Sequence, residues 1–296
     1  MTGEQRTEER NEEKKNTEHS KMYPSQLPVL RECRPHIVFD EFVSSSGKRL
    51  QYYVTRGGLF TVAHLLFPSA DEPSLREFVS FCRRKFLIYK ISLFEESSWL
   101  GSPRKSSTQW IDTSNVVVEK GIKYNVRKAE KEGVSVRKLD DHEWWMTLND
   151  IHNELLSSEG KPVDIKKRKE MYEVLESHNN ESTLSYGAFH QGLMIAGIVV
   201  SFTKDVGLLT TLATRQDAYS LAPNPLLITK MCELERERFR WFDMNVGVDA
   251  EEKQDEKIKR IIAFKRRFGV EKNIFTYTPR WFFLAQKVAR FVKRKK

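Results

Sequence analysis

Three cysteines in 296 residues, Cys33, Cys82 and Cys232, stand far apart. An odd count with no close pair excludes a disulfide scaffold and any cysteine-based zinc site, and points to a reducing compartment. The seven histidines share no ligand spacing, so no metal is expected. No apolar stretch is long enough to span a bilayer; the longest uncharged one, Gly192–Thr203, falls well short of about 20 residues. The N-terminus has no apolar core of the secretory type. Walker-type loops, G-x-S-x-G and G-x-G-x-x-G are absent as well, which removes the commonest nucleotide-binding and serine-hydrolase signatures. The expectation is a soluble cytoplasmic protein.

What the chain does have is an ample core and an uneven charge. Apolar residues make up 39% and aromatics 11%, too much for a disordered chain. Residues 1–21 are the exception: charged, almost without apolar side chains, and read as a disordered tail. At the other end, Lys253–Lys296 carries 15 Lys/Arg against three Asp/Glu, more than the whole net charge of +9. A basic end suggests an anionic partner: phosphate groups, RNA or an acidic membrane surface.

The hydrophobic pattern alternates strands and helices, which predicts an α/β fold with a mixed sheet. Strands are expected at His36–Ser44, Arg49–Thr55, Phe60–Phe67 and Leu87–Phe94, with a helix over Leu75–Phe86 behind a Ser74/Glu77 capping box. Serine-rich Glu95–Ser114 reads as a connection. Then come a helix at Val116–Glu132, a strand at Val134–Leu139, a helix capped by Asp140, and another at Ile165–His178. Three strands follow, Thr183–Phe189, Met194–Thr203 and Gly207–Thr214. A helix opens at an Asn224 cap with Pro225 and runs to about Phe239. Strand Trp241–Val246, a helix from an Asp249 cap to Gly269, strand Asn273–Thr278 and a last helix, Arg280–Lys296, complete the order. No fixed-period repeat is visible, but the two halves share a plan of strands, helix, strand. The expected domains are 22–114 and 115–280, followed by a basic amphipathic helix at 281–296.

Two helices carry polar groups that the core does not explain. On a wheel of about 100° per residue, Lys265 falls inside the apolar stripe of Ile258, Ile261, Ile262 and Phe268. A lysine on a buried face is costly unless paired or functional. Strand alternation sets Trp241, Asp243 and Asn245 on one face, so Asp243 is its candidate partner. In Val116–Glu132, Lys120, Lys123, Arg127 and Lys131 line the side opposite the core, flanked by Tyr124 and Lys128. Four cations without an intervening carboxylate make a ridge suited to phosphates.

At these residues a family resemblance emerges. Lys123–Val136 (KYNVRKAEKEGVSV) resembles the R-x-x-I-R-K-A-x-K-x-G-V-x-V segment of Fem-type (FemAB-like) peptidyltransferases and their GNAT-fold relatives. Gly187–Gly197 (GAFHQGLMIAG) is similar to their paired strands, and Trp241–Asn245 (WFDMN) followed by Ala263–Gly269 (AFKRRFG) to their strand ending in Asp and then F-K-x-x-F-G. Order and spacing agree over Val116–Pro279. The resemblance implies two GNAT-like units, the first degenerate, and an acyltransferase that passes an acyl or aminoacyl group to an amine. It implies catalytic roles for Phe264 and Lys265, with Asp243 beside them. Lys123, Tyr124, Arg127, Lys128, Asn245 and Arg266 become candidate substrate-binding residues. The donor would be acyl-CoA or aminoacyl-tRNA, used as a substrate and not as a tightly bound cofactor. The acceptor would be an amine, in Fem-type members a cell-envelope precursor.

The sequence also departs from the pattern. Where GNAT enzymes carry a glycine-rich R-x-x-G-x-G/A turn for the CoA pyrophosphate, this chain reads Thr214–Pro223 (TRQDAYSLAP), with no glycine. Backbone amides at Asn224 and Leu226 are the alternative anion contacts. No inserted coiled-coil hairpin is present. The competing reading is a non-catalytic module that binds nucleic acid or a membrane surface through the basic end. The final helix, with Trp281 on its apolar face and cations on the other, fits peripheral contact with an anionic membrane.

Overall fold

The computed structural model describes residues 28–33, 37–57, 60–66, 70–85, 87–245, 248–249, 256–279 and 281–282. The expected tail, 1–21, and nearly all of the expected helix Arg280–Lys296 lie outside them. The chain forms two compact units. The first takes its described residues from 1–34, 108–246 and 253–272, the second from 35–107, 247–252 and 273–296.

The second unit is built on a meander. Strands β1 (Val38–Val43), β2 (Arg49–Gly57) and β3 (Phe60–Leu66) pair antiparallel, and β4 (Ile88–Leu93) lies parallel to β3. Parallel pairing needs a crossover. Here it contains helix α2 (Glu72–Arg84), which follows the short helix α1 (Pro28–Glu32) of the other unit. Alternate residues Leu50 and Tyr52 of β2 and Ala63 and Leu65 of β3 bury against Leu75, Phe78, Val79 and Cys82 of α2. The cap differs from the expected box. Asp71 is the N-cap and accepts from the Ser74 amide, while Glu77 reaches across to the Ser45 amide and hydroxyl. A nearer carboxylate thus takes the orphan donor and frees Glu77 to hold the β1–β2 turn.

The first unit holds the longer sheet. Its order is β5 (Arg104–Asp112), β10 (Trp241–Asp243), β9 (Val206–Thr214), β8 (Leu193–Phe202), β7 (Thr183–His190) and β6 (Ser135–Lys138). Strands β6 to β9 are antiparallel, and β10 is parallel to β9. Strand β8 is buried along nearly its whole length, as its continuous apolar run requires. Helix α4 (His142–Ser158) packs on β8 and β9, and helix α6 (Pro223–Leu234) on β7 and β8. Helix α5 (Ile165–Ser177) packs on α4, and α3 (Lys120–Lys131) on α6.

The α/β class with a mixed sheet is as expected, and both units repeat one plan: three antiparallel strands, a helix, then a strand parallel to the third. The chain order crosses between them. Residues 110–112 of β5, which follows β4, pair antiparallel with β10 in the first unit. Residues 275–277 of β12 (Val270–Tyr277), which follows β10, pair antiparallel with β4 in the second.

Several local expectations are corrected. Glu95–Ser114 is not a mere connection, because β5 occupies its second half. Its polar composition hid a strand whose Thr108 and Gln109 are buried. The helix expected from Val116 starts at Lys120; Val117–Glu119 instead pair with the backbone at 267–269. Asp141, not Asp140, is the N-cap of α4, and its side chain makes no capping bond. The N-cap of α6 is Ala222, in left-handed backbone geometry, with Pro223 first in the helix. Asn224 cannot cap because its side chain accepts from the Thr214 hydroxyl, 2.6 Å away. This helix ends at Leu234, before Phe239. Strand β10 stops at Asp243 because Asn245 has a positive φ of 51°. Asp249 lies in strand β11 (Val248–Asp249), and the described helix α7 spans Glu256–Lys265.

Candidate functional site

The site forms in the first unit where β10 ends. Trp241, Phe242 and Asp243 lie beside Val206, Gly207 and Leu208 of β9. After this pair the strands part: β9 runs on to Thr214, and the chain beyond Asp243 turns away through Asn245. The Asn245 side-chain amide donates to the Leu209 carbonyl at 3.2 Å and so holds the root of the opening.

Asp243 is 2% exposed. It accepts from the Thr108 hydroxyl of β5 and, at 2.7 Å, from the Asn245 amide. An unpaired buried carboxylate would be prohibitive, and these donors make it tolerable.

Lys265 ends α7, and its ammonium donates to the carbonyl oxygen of Met244 and, at 3.3 Å, to that of Asn245. The last turn of a helix also favours a cation. Burial pushes the Lys265 ammonium down to about 8, partly offset by the Asp243 carboxylate. A lysine ammonium has three N–H donors. Two are engaged with these carbonyls, and the third remains for a ligand oxygen.

The structure brings Lys265, Asp243 and Asn245 together, although by a different route from strand alternation. Strand alternation does not reach Asn245; its backbone carbonyl, not its side chain, meets the lysine. The apolar stripe on α7 is narrower than the wheel gives, since Ile261 at its margin is 42% exposed. Phe264 is half-buried and packs edge-on against Phe268, ring centroids 5.3 Å apart. Phe268 itself is fully buried. Arg266 is exposed, 3.6 Å from Glu271.

The ridge on α3 is joined to this site through backbone. Val118 bridges Phe268, the Glu119 amide donates to the Arg267 carbonyl, and the Gly269 amide donates to that of Val117. The first turn of α3 thus lies against the turn that follows Lys265. Lys120, Lys123, Arg127 and Lys131 are all exposed, as is Tyr124, whereas Lys128 is half-buried. At the start of α6, Leu226 is 1% exposed, so its side chain belongs to the core. Pro223 and Pro225 have no N–H, which leaves Asn224 as the free amide of the first three helical residues, because the fourth, Leu226, is placed to donate to the N-cap carbonyl.

Thr108 and the Met244 carbonyl were not foreseen. Thr108 would have required recognising β5, and no side-chain pattern marks a backbone acceptor. Among the described residues no group of three or more His, Cys, Asp or Glu could hold a metal ion, and no helix is long and apolar enough to cross a membrane.

No family model and no curated protein matches the chain. Solved structures do. FemX superposes with a TM-score of 0.71 at 13% identity, covering 92% of this chain and 97% of that one. A conserved protein of unknown function from Bacteroides thetaiotaomicron gives 0.62 at 8%, over 89% and 92%. L-PGS from Bacillus licheniformis gives 0.60 at 14%, over 86% and 87%. At these identities the likeness is one of fold, and it agrees with the Fem-type resemblance of the three sequence motifs.

Proposed function

We propose that this chain, whose fold is that of FemX, is an N-acyl- or aminoacyltransferase that works at the end of β10. The observation that carries the reading is Lys265: a half-buried ammonium held by two backbone carbonyls, with one donor to spare, beside the opening between β9 and the chain after Asp243. Acyl transfer to an amine builds negative charge on the carbonyl oxygen, and a preorganised cationic donor in a desolvated site stabilises it. The free edge of β9 beyond Leu209 offers backbone groups to an extended donor arm. The donor is a CoA thioester or an aminoacyl-tRNA; in both, phosphates would meet the α3 ridge. A non-catalytic binding module would gain nothing from a lysine buried at such cost.

The pH profile tests the role. With a pKa of about 8, Lys265 keeps its proton at neutral pH and loses it above. Turnover should therefore fall as pH rises through about 8. In Lys265→Arg the guanidinium does not titrate in this range, so the residual activity should show no such limb. A limb that stays at pH 8 in that variant would assign it to another group.

The ridge makes a second expectation. Replacing Lys120, Lys123, Arg127 and Lys131 together by glutamine should weaken CoA or tRNA binding by about tenfold or more at low salt, and flatten its salt dependence. Thermal-shift and fluorescence titrations at two ionic strengths measure both. Unchanged affinity would return this face to an ordinary solvated helix surface.

A further inference from the structure

A second site lies farther along β9, beside the segment that replaces the glycine-rich phosphate turn of GNAT enzymes. A cavity of about 270 Å³ opens between the C-terminal half of α4 and the end of β9. Ile151 and Leu155 form an apolar wall; Glu154, Ser158, Thr214, Arg215, Gln216 and Asp217 supply its polar groups. The Nε of Arg215 is buried and has no hydrogen-bond partner. A buried guanidinium N–H left without an acceptor is costly, so its retention points to a ligand.

The composition of the cavity decides what kind of ligand. One guanidinium and two carboxylates line it, and this negative balance repels a phosphate or pyrophosphate. This is also the segment that lacks glycine, so its backbone is not shaped for a close approach to phosphates. The volume equals about nine waters at 30 Å³ each, below the roughly 300 Å³ where pockets for larger ligands begin. A whole nucleotide does not fit inside. An α-amino acid does. Its carboxylate pairs with the fork of Arg215, its ammonium with Glu154 and Asp217, and its side chain lies on Ile151 and Leu155.

We infer that this cavity is a binding site for the zwitterionic head of an α-amino acid, free or as the end of a larger substrate. The site stands about 20 Å along β9 from the strand pair at Asp243, at 3.3 Å per residue. A free amino acid here cannot touch Lys265. The inference thus stands apart from the transfer reading.

Binding without turnover tests it. The twenty common L-amino acids are titrated in turn into the full chain at low salt by ligand-observed NMR, with pyrophosphate, propionate and ethylamine as comparison ligands. At least one amino acid should bind with a millimolar Kd or better. Propionate and ethylamine, each lacking one charge, should bind at least tenfold more weakly, and pyrophosphate should not compete. Arg215→Gln and Glu154→Gln, both near the surface and expected to melt with the wild type, should each weaken the amino acid at least tenfold. No amino acid binding below 10 mM, or competition by pyrophosphate, or undiminished affinity in Arg215→Gln, would overturn the inference. Because Lys265 is untouched throughout, any of these failures leaves the transferase proposal where it stood.

Discussion

Replacing Lys265 by alanine is expected to lower the rate of acyl transfer by roughly 10²–10³ while the fold stays intact, the usual effect of deleting one transition-state donor. The loss should appear in kcat more than in KM, because the spare N–H serves an oxygen whose charge develops only during reaction. Stability should move the other way. A lysine whose pKa is about 8 when folded and near 10.5 when unfolded destabilises the fold at every pH below 8. The penalty, roughly 3 kcal/mol, fades as pH climbs from 8 to 10.5, where the unfolded chain also loses its proton. Lys265→Met removes the buried charge and keeps the length, so its melting temperature at pH 7 should equal or exceed that of the wild type, offset in part by the two lost carbonyl contacts. Circular dichroism melts and single-turnover kinetics on both variants check this. Full activity in either would end the catalytic assignment.

Gly269→Ala should be among the most destabilising single substitutions in the chain. Gly269 has a φ of 57°, and a Cβ built there would sit 2.0 Å from the Trp110 carbonyl oxygen and 3.0 Å from the Ile111 Cα. Left-handed backbone alone costs a non-glycine residue about 1–2 kcal/mol. The clash is worse, because both contacts are main chain of β5 and cannot swing aside. A loss of about 4 kcal/mol or more is expected, within the severe class. The damage should reach activity through position: the turn at Gly269 holds α7 and the 117–119 segment in register, and Lys265 sits four residues upstream. Denaturant midpoints measure the first effect. A variant as stable as the wild type would mean that β5 shifts without cost.

Much of this site was legible in the sequence because its logic is local. Lys265 stands out on a helical wheel, since an ammonium among isoleucines breaks the pattern. Asp243 follows from strand alternation, which sets it on the face of Trp241. What was not legible depended on groups without a side-chain signature. The carbonyls of Met244 and Asn245 hold the lysine, and any residue carries a carbonyl. β5 was lost because Arg104–Gln109 is polar where a strand is usually recognised by its apolar alternation; its buried Thr108 donates to Asp243, and the Gln109 carbonyl accepts from the Met244 amide. The caps of α2 and α4 were misplaced because several oxygen-bearing residues stand near each helix start, and that of α6 because Asn224 is engaged by the Thr214 hydroxyl. Only geometry decides among them. Arg215 gave no signal, since one arginine after a strand is ordinary until its Nε is seen to be without an acceptor.

The crossed order of β5 and β12 has a consequence for how the protein is made. β4 finds its antiparallel neighbour only when Phe275 comes to lie opposite Leu93, about 180 residues later in the chain. At 5–20 residues per second a ribosome needs roughly 10–40 s to supply it. Throughout that interval the meander β1–β4 presents an open edge, the kind of surface on which strands from other chains can add. A gene divided after residue 114 would make this exposure permanent, giving two fragments that each carry one strand of the other unit and lack one of their own. The fragments should be insoluble apart and recover together when expressed in the same cell. Each of the two similar halves of this chain thus holds the other's last piece.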